Sequence, residues 1–279
     1  MTQLENINFA YKRRVPVFEG LTLNLESGNI YGLLGRNGVG KTTLLKIIAG
    51  LVFPKKGVCR VNGHDATLRI PEALEDIFFL PEEFELPPIK IKRYIYLNAP
   101  FYSCFDHAMF KNLVEEFELD TNKKLGQFSY GQKKKFLIAF GLSTRARLML
   151  MDEPTNGLDI PSKSQFRKII ASSMQDDQII IISTHQVRDL QSLIDPIIIM
   201  DNGKIIFNQT TESITSGLVF EILSKIPDEP KLVYSEDVIG GFATISPNTS
   251  GRETRIDIEL LFNAVVSNPQ AFSEIFNSI

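Results

Sequence analysis

Apolar and polar residues alternate in the N-terminal part of the chain, and short uninterrupted apolar runs follow. The alternating apolar positions are Ile7, Phe9, Tyr11, Leu21, Leu23 and Leu25. A period of two is typical of strands that bury one face, so these stretches predict antiparallel strands. The run Ile30–Leu34 comes next and predicts a short buried strand.

Three later apolar runs predict strands that are buried on both faces, as parallel sheets require. They are Leu148–Met151, Ile179–Ile182 and Ile197–Met200. A helical pattern over Ser162–Met174 separates the first two, and this strand–helix–strand order predicts a parallel sheet. Asn202-Gly203 then predicts a tight turn into a strand over 204–207, which makes the predicted sheet mixed.

Helical spacing marks two further parts of the chain. Thr42–Ile48 has the apolar spacing of a helix, and Gly50 is placed to end it. Residues from about 88 to 145 carry aromatic and charged residues at helical intervals, for example Phe110 and Leu113. We interpret this stretch as a helical insert in a larger α/β unit.

The pattern changes after about Thr211. Strands are predicted over Leu232–Ser235, Gly241–Ile245 and Arg255–Glu259, and then a helix through Phe262–Val266 and another near the end. We therefore expect a first domain over 1–212 and a small α+β accessory region over 213–279.

The charge balance excludes one class of partner. The 279 residues have a formal net charge of −3 and a pI near 5.8. Nucleic-acid-binding domains usually carry a basic surface, so no nucleic-acid partner is expected. The basic runs Lys12–Arg14 and Lys133–Lys135 are interpreted as solvated faces.

Nothing in the sequence predicts a membrane span or a secretion signal. No apolar run approaches the roughly 20 residues that cross a bilayer, and the N-terminus lacks a basic region followed by an apolar core. We expect a cytoplasmic protein that reaches a membrane only through a partner. Cys59 and Cys104 have no metal-ligand spacing, so both are expected to be buried free thiols.

A phosphate-binding loop is the strongest local signal. Its sequence is Gly35-Arg36-Asn37-Gly38-Val39-Gly40-Lys41-Thr42, and Thr43 follows it. The spacing G-x-x-x-x-G-K-[ST] lets backbone amides wrap around a polyphosphate at the start of a helix. We assign residues 35–43 to nucleotide binding, with Lys41 on the β- and γ-phosphates and the Thr42 hydroxyl on Mg²⁺.

Two acids and a histidine follow predicted buried strands. Asp152 and Glu153 come directly after Leu148–Met151, and His185 follows Ile179–Ile182. Ligands of open α/β sheets bind at the carboxyl ends of the strands. Asp152 is predicted to hold Mg²⁺, Glu153 to act as general base on the attacking water, and His185 to sense the γ-phosphate.

With these elements in place, residues 3–210 resemble an ATP-binding cassette of the ABC family. The segment Phe128-Ser129-Tyr130-Gly131-Gln132 resembles the family signature Leu-Ser-Gly-Gly-Gln and differs from it at the first and third residues. The resemblance implies that Ser129, Gly131 and Gln132 grip the γ-phosphate of ATP held by an opposite subunit.

Three further matches carry the resemblance. Asn156–Asp159 resembles the D-loop at the dimer seam, so Asp159 is assigned to the nucleotide site. Tyr11 matches the aromatic residue that stacks on adenine, and His185 matches the H-loop histidine.

One family element is altered. The family's Q-loop supplies a glutamine between the phosphate loop and the signature, but this chain has no Gln between Gln3 and Gln127. The matching stretch is 78–83, in which Glu82 is predicted to stand in the glutamine's place and to contact the metal.

The resemblance implies an ATP-hydrolysing subunit with ATP and Mg²⁺ as cofactors. Its partners would be a transmembrane permease subunit and a second cassette, in a homodimer or heterodimer on the inner face of the membrane. The alternative is a soluble ABC ATPase that acts on a cytosolic assembly scaffold or in translation. The signature segment argues against a GTPase or a small-molecule kinase.

Overall fold

The computed structural model describes residues 1–11, 15–226 and 232–277, so the basic run Lys12–Arg14 lies outside the described residues. The strands are β1 (Thr2–Phe9), β2 (Phe18–Leu25), β3 (Asn29–Leu34), β4 (Lys56–Val61), β5 (His64–Asp65), β6 (Ile77–Leu80), β7 (Leu148–Asp152), β8 (Ile179–Thr184), β9 (Ile197–Asp201), β10 (Lys204–Gln209), β11 (Leu218–Leu223), β12 (Tyr234–Val238) and β13 (Gly241–Pro247). The α-helices are α1 (Lys41–Ile48), α2 (Pro71–Leu74), α3 (Ile91–Asn98), α4 (His107–Glu116), α5 (Tyr130–Ser143), α6 (Ile160–Ser173), α7 (Thr211–Gly217), α8 (Ile258–Ser267) and α9 (Pro269–Asn277).

The N-terminal strands form an antiparallel sheet in the order β2-β1-β4-β5. Leu4 pairs with Leu23 across β1 and β2, and Leu4 also pairs with Cys59 of β4. These three residues are buried, which confirms the antiparallel strands that the alternation predicts. Strands β4 and β5 were not predicted.

A six-stranded sheet in the order β10-β9-β3-β8-β7-β6 forms the centre of the molecule. Strands β9, β3, β8, β7 and β6 are parallel, and β10 pairs antiparallel with β9 through the Asn202-Gly203 turn. The mixed sheet is therefore confirmed. Both faces of β7 are buried: Leu148 and Leu150 pack with α1, and Met149 and Met151 pack with α5 and α6.

The parallel strands bring their carboxyl ends to one edge of this sheet. β3 leads into the glycine-rich loop, β7 ends at Asp152, and His185 directly follows β8. Glu82 lies two residues beyond the end of β6, at the same edge. Residues that are distant in sequence therefore meet at one place, as the strand order predicts.

The helical insert contains α3, α4 and α5, which confirms helices in this stretch. Phe110, Leu113 and Phe117 are buried against Phe136 of α5 in one hydrophobic cluster. The same cluster includes Leu80 of β6, so the insert packs directly on the central sheet.

The C-terminal region forms an antiparallel sheet in the order β11-β13-β12, with α8 and α9 beside it. It packs on the first part of the chain, since the rings of Phe207 and Phe272 lie 6.3 Å apart. No helix in the described ranges is long and apolar enough to cross a membrane.

The predicted strand over Arg255–Glu259 is wrong. The Asp257 carboxylate accepts from the backbone N–H groups of Glu259 and Leu260, so it caps α8, which begins at Ile258. The strand predicted over Leu232–Ser235 lies instead at Tyr234–Val238, and β11 was not predicted at all.

One thiol expectation is also wrong. Cys59 is buried in β4, but Cys104 is exposed in the turn before α4. Burial raises the pKa of Cys59 to about 12. Both thiols are free, as expected.

Candidate active site

A cavity of about 390 Å³ opens where the carboxyl ends of the strands meet. It is lined by Tyr11, Val17, Asn37, Gly38, Gly40, Lys41, Thr42, Thr43, Glu82, Asp152 and Glu153. All of these except Val17 were predicted from the sequence. The predicted residues Gly35, Arg36 and His185 line a neighbouring cavity of about 560 Å³, and Val39 lines neither.

The glycine-rich loop needs its glycines for close contacts. Gly40 has a φ of 111°, and a Cβ atom there would come within 2.7 Å of the Phe18 ring. A Cβ atom on Gly35 would lie 2.7 Å from the carbonyl oxygen of Met200. Both contacts are closer than a real Cβ atom tolerates. The loop backbone can lie this close to its neighbours only because glycine has no side chain.

Lys41 lies inside the loop. Its Nζ donates to the carbonyl oxygen of Gly35 at 2.7 Å and to that of Arg36 at 3.3 Å, and it lies 4.0 Å from the Glu153 carboxylate. Burial lowers the pKa of Lys41, and the carboxylates of Glu153, Asp152 and Glu82 oppose that shift. A buried ammonium in a cavity of this size suits the anionic phosphates of a nucleotide.

Thr42 and Asp152 meet directly, although 110 positions separate them in sequence. The Thr42 hydroxyl donates to Oδ2 of Asp152 at 2.6 Å. The other carboxylate oxygen, Oδ1, accepts from the Ser183 hydroxyl of β8. Asp152 is therefore held in one orientation at the tip of β7, with Thr42 beside it at the start of α1.

These residues fit a magnesium–nucleotide complex. No group of three or more His, Cys, Asp or Glu side chains in the described ranges could hold a metal by itself. Mg²⁺ is usually bound through one or two carboxylates together with substrate phosphates and water, rather than by a cage of protein ligands. Thr42 and Asp152 supply that kind of partial ligand set beside the lysine that would bind the phosphates.

Glu153 has an unusual backbone and a well-defined partner. Its φ is 47°, in the left-handed region that non-glycine residues seldom adopt, and it is 4% exposed. Oε1 of Glu153 lies 2.7 Å from Nδ1 of His185. The buried Oε2 atom has no hydrogen-bond partner among the described residues. A carboxylate at the cavity that a neighbouring imidazole orients is suited to accept a proton from a bound water molecule.

Glu82 lies at the same cavity. Its Oε1 accepts a hydrogen bond from Nδ2 of Asn156 at 3.1 Å, and its backbone carbonyl accepts from the Tyr130 hydroxyl. The Tyr130 ring also stacks on Phe84, with 5.4 Å between ring centres. Tyr130 thus links the Glu82 segment to the first turn of α5. Contact between Glu82 and the metal stays a prediction.

Tyr11 lies at the rim of the cavity. Its hydroxyl is 3.2 Å from that of Thr43, and its ring meets Phe9 edge-on at 4.9 Å. The residue is 60% exposed, and an exposed aromatic ring at the rim of a cavity is suited to stack on an aromatic ligand.

The signature residues do not line this cavity. Ser129 caps α5, since its Oγ accepts from the backbone N–H of Gln132 at 3.2 Å and Oε1 of Gln132 accepts from the N–H of Ser129 at 3.0 Å. Gly131 lies against Gly157, where a Cβ atom would be 3.2 Å from the carbonyl oxygen. Asp159 is exposed and caps α6 by accepting from Ser162 at 2.9 Å.

Sequence reasoning missed Lys134 and misjudged the run that contains it. Lys133 and Lys135 are half-buried, but Lys134 has no exposed surface, so this run is not simply a solvated face. Its ammonium donates to the carbonyl oxygens of Glu153 and Asn156. Lys134 lies on a helix next to apolar residues, which could have indicated its burial. It is the middle one of three consecutive lysines, and such a run is usually exposed to solvent.

Comparisons with known proteins identify the family. A family model described as ABC transporter matches residues 18–156. The chain is 32% identical over 210 residues to the ABC transporter ATP-binding protein NatA of Bacillus subtilis, across 73% of this chain and 85% of NatA. It is 32% identical over 193 residues to the bacitracin transport ATP-binding protein BcrA of Bacillus licheniformis, across 67% of this chain and 62% of BcrA.

A solved structure shares the fold. It is a dimeric ATP-binding cassette in a post-hydrolysis state, bound to ADP and Pi, and it matches with a TM-score of 0.65 at 22% identity, over 75% of this chain and 98% of that one. The sequence relatives and the glycine-rich loop at the edge of a mixed sheet indicate the same family. The chain belongs to the ABC transporter family, as one of its ATP-binding subunits.

Proposed function

We propose that this subunit hydrolyses Mg²⁺-bound ATP and that hydrolysis drives a separate transmembrane permease. The observation that carries the proposal is the meeting of Thr42, Asp152, Glu153 and Lys41 in one cavity, with His185 bonded to Glu153. These residues come from separate segments of the chain, and together they supply phosphate-binding, metal-binding and proton-accepting groups.

Each side chain has a role in the proposed reaction. Lys41 binds the β- and γ-phosphates, and Tyr11 stacks on the adenine. Thr42 and Asp152 would hold Mg²⁺, which would supply positive charge beside the phosphates. Glu153 accepts a proton from the attacking water, and His185 holds the Glu153 carboxylate in place.

Dimerisation supplies the remaining part of the site. Ser129, Gly131 and Gln132 lie outside the cavity of their own chain, and Ser129 is exposed. We infer that a second cassette presents these residues to the γ-phosphate. The dimeric state of the solved cassette with the same fold supports this arrangement.

The permease would dock on an aromatic groove beside the active site. This groove is a separate cavity of about 390 Å³ whose lining includes Phe79, Pro81, Phe84 and Phe101, and Phe101 is 72% exposed. Pro81 directly precedes Glu82, so the groove is continuous with the segment that reaches the nucleotide cavity. The transport function in the names of relatives such as BcrA supports a transporter partner. We propose that this partner spans the membrane and that the subunit lies peripherally on the inner face.

For the C-terminal region we propose a role in docking or regulation. The proposed boundary near residue 212 falls in α7, and Arg188 next to the His185 turn forms an ion pair with Glu259 of α8. This region therefore contacts the ATP-binding unit close to its active site.

Steady-state ATPase assays with the purified chain test the proposed function. The wild type should release phosphate from ATP only when Mg²⁺ is present, and Lys41→Ala should release none and bind ATP weakly. Equal phosphate release by both proteins, or release unaffected by a chelator, would refute the proposal.

A further inference from the structure

Lys134 is the least exposed charged side chain around the active site. It lies in the first half of α5, with an exposed fraction of 0%. Its Nζ donates to the carbonyl oxygen of Glu153 at 2.8 Å and to that of Asn156 at 2.9 Å. It also lies 5.1 Å from the centre of the Tyr130 ring. Lys134 has no role in the proposed reaction as described so far.

The two carbonyl groups that Lys134 binds delimit the turn after β7. The backbone N–H of Asn156 donates to the Glu153 carbonyl at 3.2 Å, so residues 153–156 form a tight turn. Glu153 begins this turn with a φ of 47°. A left-handed conformation is unfavourable for a non-glycine residue, so it persists only where surrounding contacts hold it. The Lys134 ammonium bonds both ends of the turn.

Charge also favours this arrangement. Burial lowers the pKa of Lys134 to about 8, and the carboxylates of Glu82, Glu153 and Asp152 oppose that shift. A buried ammonium is tolerated when hydrogen bonds and opposite charges surround it, and this one has both. Asn156 connects it further to Glu82, because the Asn156 side chain donates to the Glu82 carboxylate at 3.1 Å.

We propose that Lys134 is a positioning residue of the hydrolytic site, which holds the turn 153–156 so that the Glu153 carboxylate faces the cavity. It lies five positions after Ser129, which caps the same helix, so it also ties the general base to the signature segment. This inference rests on the proposed function, in which Glu153 accepts the proton. Lys134 itself touches no nucleotide in this account.

Met and Gln form a matched pair of substitutions at this position. Their side chains have the same length, but only Gln can donate a hydrogen bond to the two carbonyl groups. Steady-state ATPase assays with Lys134→Met and Lys134→Gln give kcat and KM, and equilibrium titration gives the affinity for ATP. Lys133→Met removes a neighbouring lysine whose side chain bonds to none of the residues that the structure describes, and it serves as the control.

We expect Lys134→Met to lower kcat by roughly tenfold to a hundredfold, because misplacing a catalytic group by about 1 Å costs up to that factor. Lys134→Gln should lose roughly threefold, since it keeps a donor but reaches less far. KM and ATP affinity should stay within about twofold of wild type, because the phosphate-binding loop is unaffected. Lys133→Met should keep the wild-type kcat.

Several outcomes would overturn the inference. One is a wild-type kcat in folded Lys134→Met, and another is an equal loss in the Met and Gln variants. A rise in KM with kcat unchanged would assign Lys134 to nucleotide binding instead. If the Met variant does not fold, a wild-type kcat in Lys134→Gln is sufficient to reject the positioning role of Lys134.

Glu153→Gln is assayed in parallel. If this variant hydrolyses ATP normally, the proposed function fails. If it is inactive while the Lys134 variants are unaffected, only the positioning role of Lys134 is rejected.

Discussion

Nδ1 of His185 lies 2.7 Å from Oε1 of Glu153, across a sequence separation of 32 residues. An ionised carboxylate can only accept a hydrogen bond, so a Glu153 that acts as general base would accept this one from an Nδ1–H group of His185. The contact leaves Oε2 of Glu153 without a partner among the described residues. His185 therefore orients the carboxylate that we propose as the general base.

Replacement of His185 tests this contact. We expect His185→Ala to lower kcat by roughly tenfold or more, because the Glu153 carboxylate would lose its orienting partner. ATP affinity should change little, since Lys41 and the loop remain intact. His64→Ala, at an exposed position in β5, is the control and should keep wild-type kinetics. A His185→Ala variant with wild-type kcat would remove His185 from the site.

The charge at Glu82 should determine the magnesium requirement. Its carboxylate lines the same cavity as Asp152 and Glu153. Carboxylate oxygens favour Mg²⁺, but like charges about 4 Å apart repel by roughly 4 kcal/mol at an effective dielectric near 20. We expect Glu82→Gln to raise the Mg²⁺ concentration for half-maximal ATPase, with the maximal rate similar or higher.

A matched control is available for that titration. Glu83 is exposed and does not line the cavity, so Glu83→Gln should leave the Mg²⁺ midpoint unchanged. An unchanged midpoint in Glu82→Gln as well would mean that this acid is not near the metal.

Mixed dimers test whether the active site is shared between two chains. If the protein forms homodimers, inactive Lys41→Ala and inactive Ser129→Arg chains should regain part of the ATPase activity when mixed. The mixed dimer keeps one site in which an intact Lys41 faces an intact Ser129. If verified mixed dimers show no ATPase activity, the claim that one intact shared site is active on its own would be contradicted.

Five of the six strands of the central sheet, all but β6, and the glycine-rich loop could be predicted because their signals are local. Continuous apolar runs such as 148–151 are distinctive, and the glycine-rich loop has a fixed spacing. The C-terminal region was harder, because Ile256, Ile258 and Leu260 alternate like a strand at the start of α8. The Asp257 carboxylate caps a helix at this point, and the prediction of a strand did not take this capping residue into account.

The contacts between distant segments could not be predicted from the sequence. Asn156 reaches Glu82 across 74 positions, and Lys134 reaches Glu153 across 19. No local period encodes such pairs, because they depend on how the strands and α5 pack together at the edge of the central sheet. The positive φ of Glu153 could not be predicted for the same reason, since it belongs to the turn that Lys134 holds.

The two cysteines should differ sharply in reactivity. The thiolate is the reactive form, and burial raises the pKa of Cys59 to about 12, so Cys59 stays protonated and covered at pH 8. Cys104 is exposed. A thiol-reactive dye at pH 8 should therefore label one site in the native protein and two in denaturant. Cys104→Ser should abolish the native labelling, and rapid labelling of two sites would contradict the burial of Cys59.

Glu153→Gln tests the central claim most directly, because Gln keeps the shape of the side chain and removes its basicity. We predict that the purified variant binds ATP with wild-type affinity but hydrolyses it at least roughly a hundredfold more slowly. Gel filtration with Mg²⁺ and ATP should then show the variant trapped as a nucleotide-bound dimer. Wild-type turnover by Glu153→Gln would contradict the assignment of Glu153 as the general base.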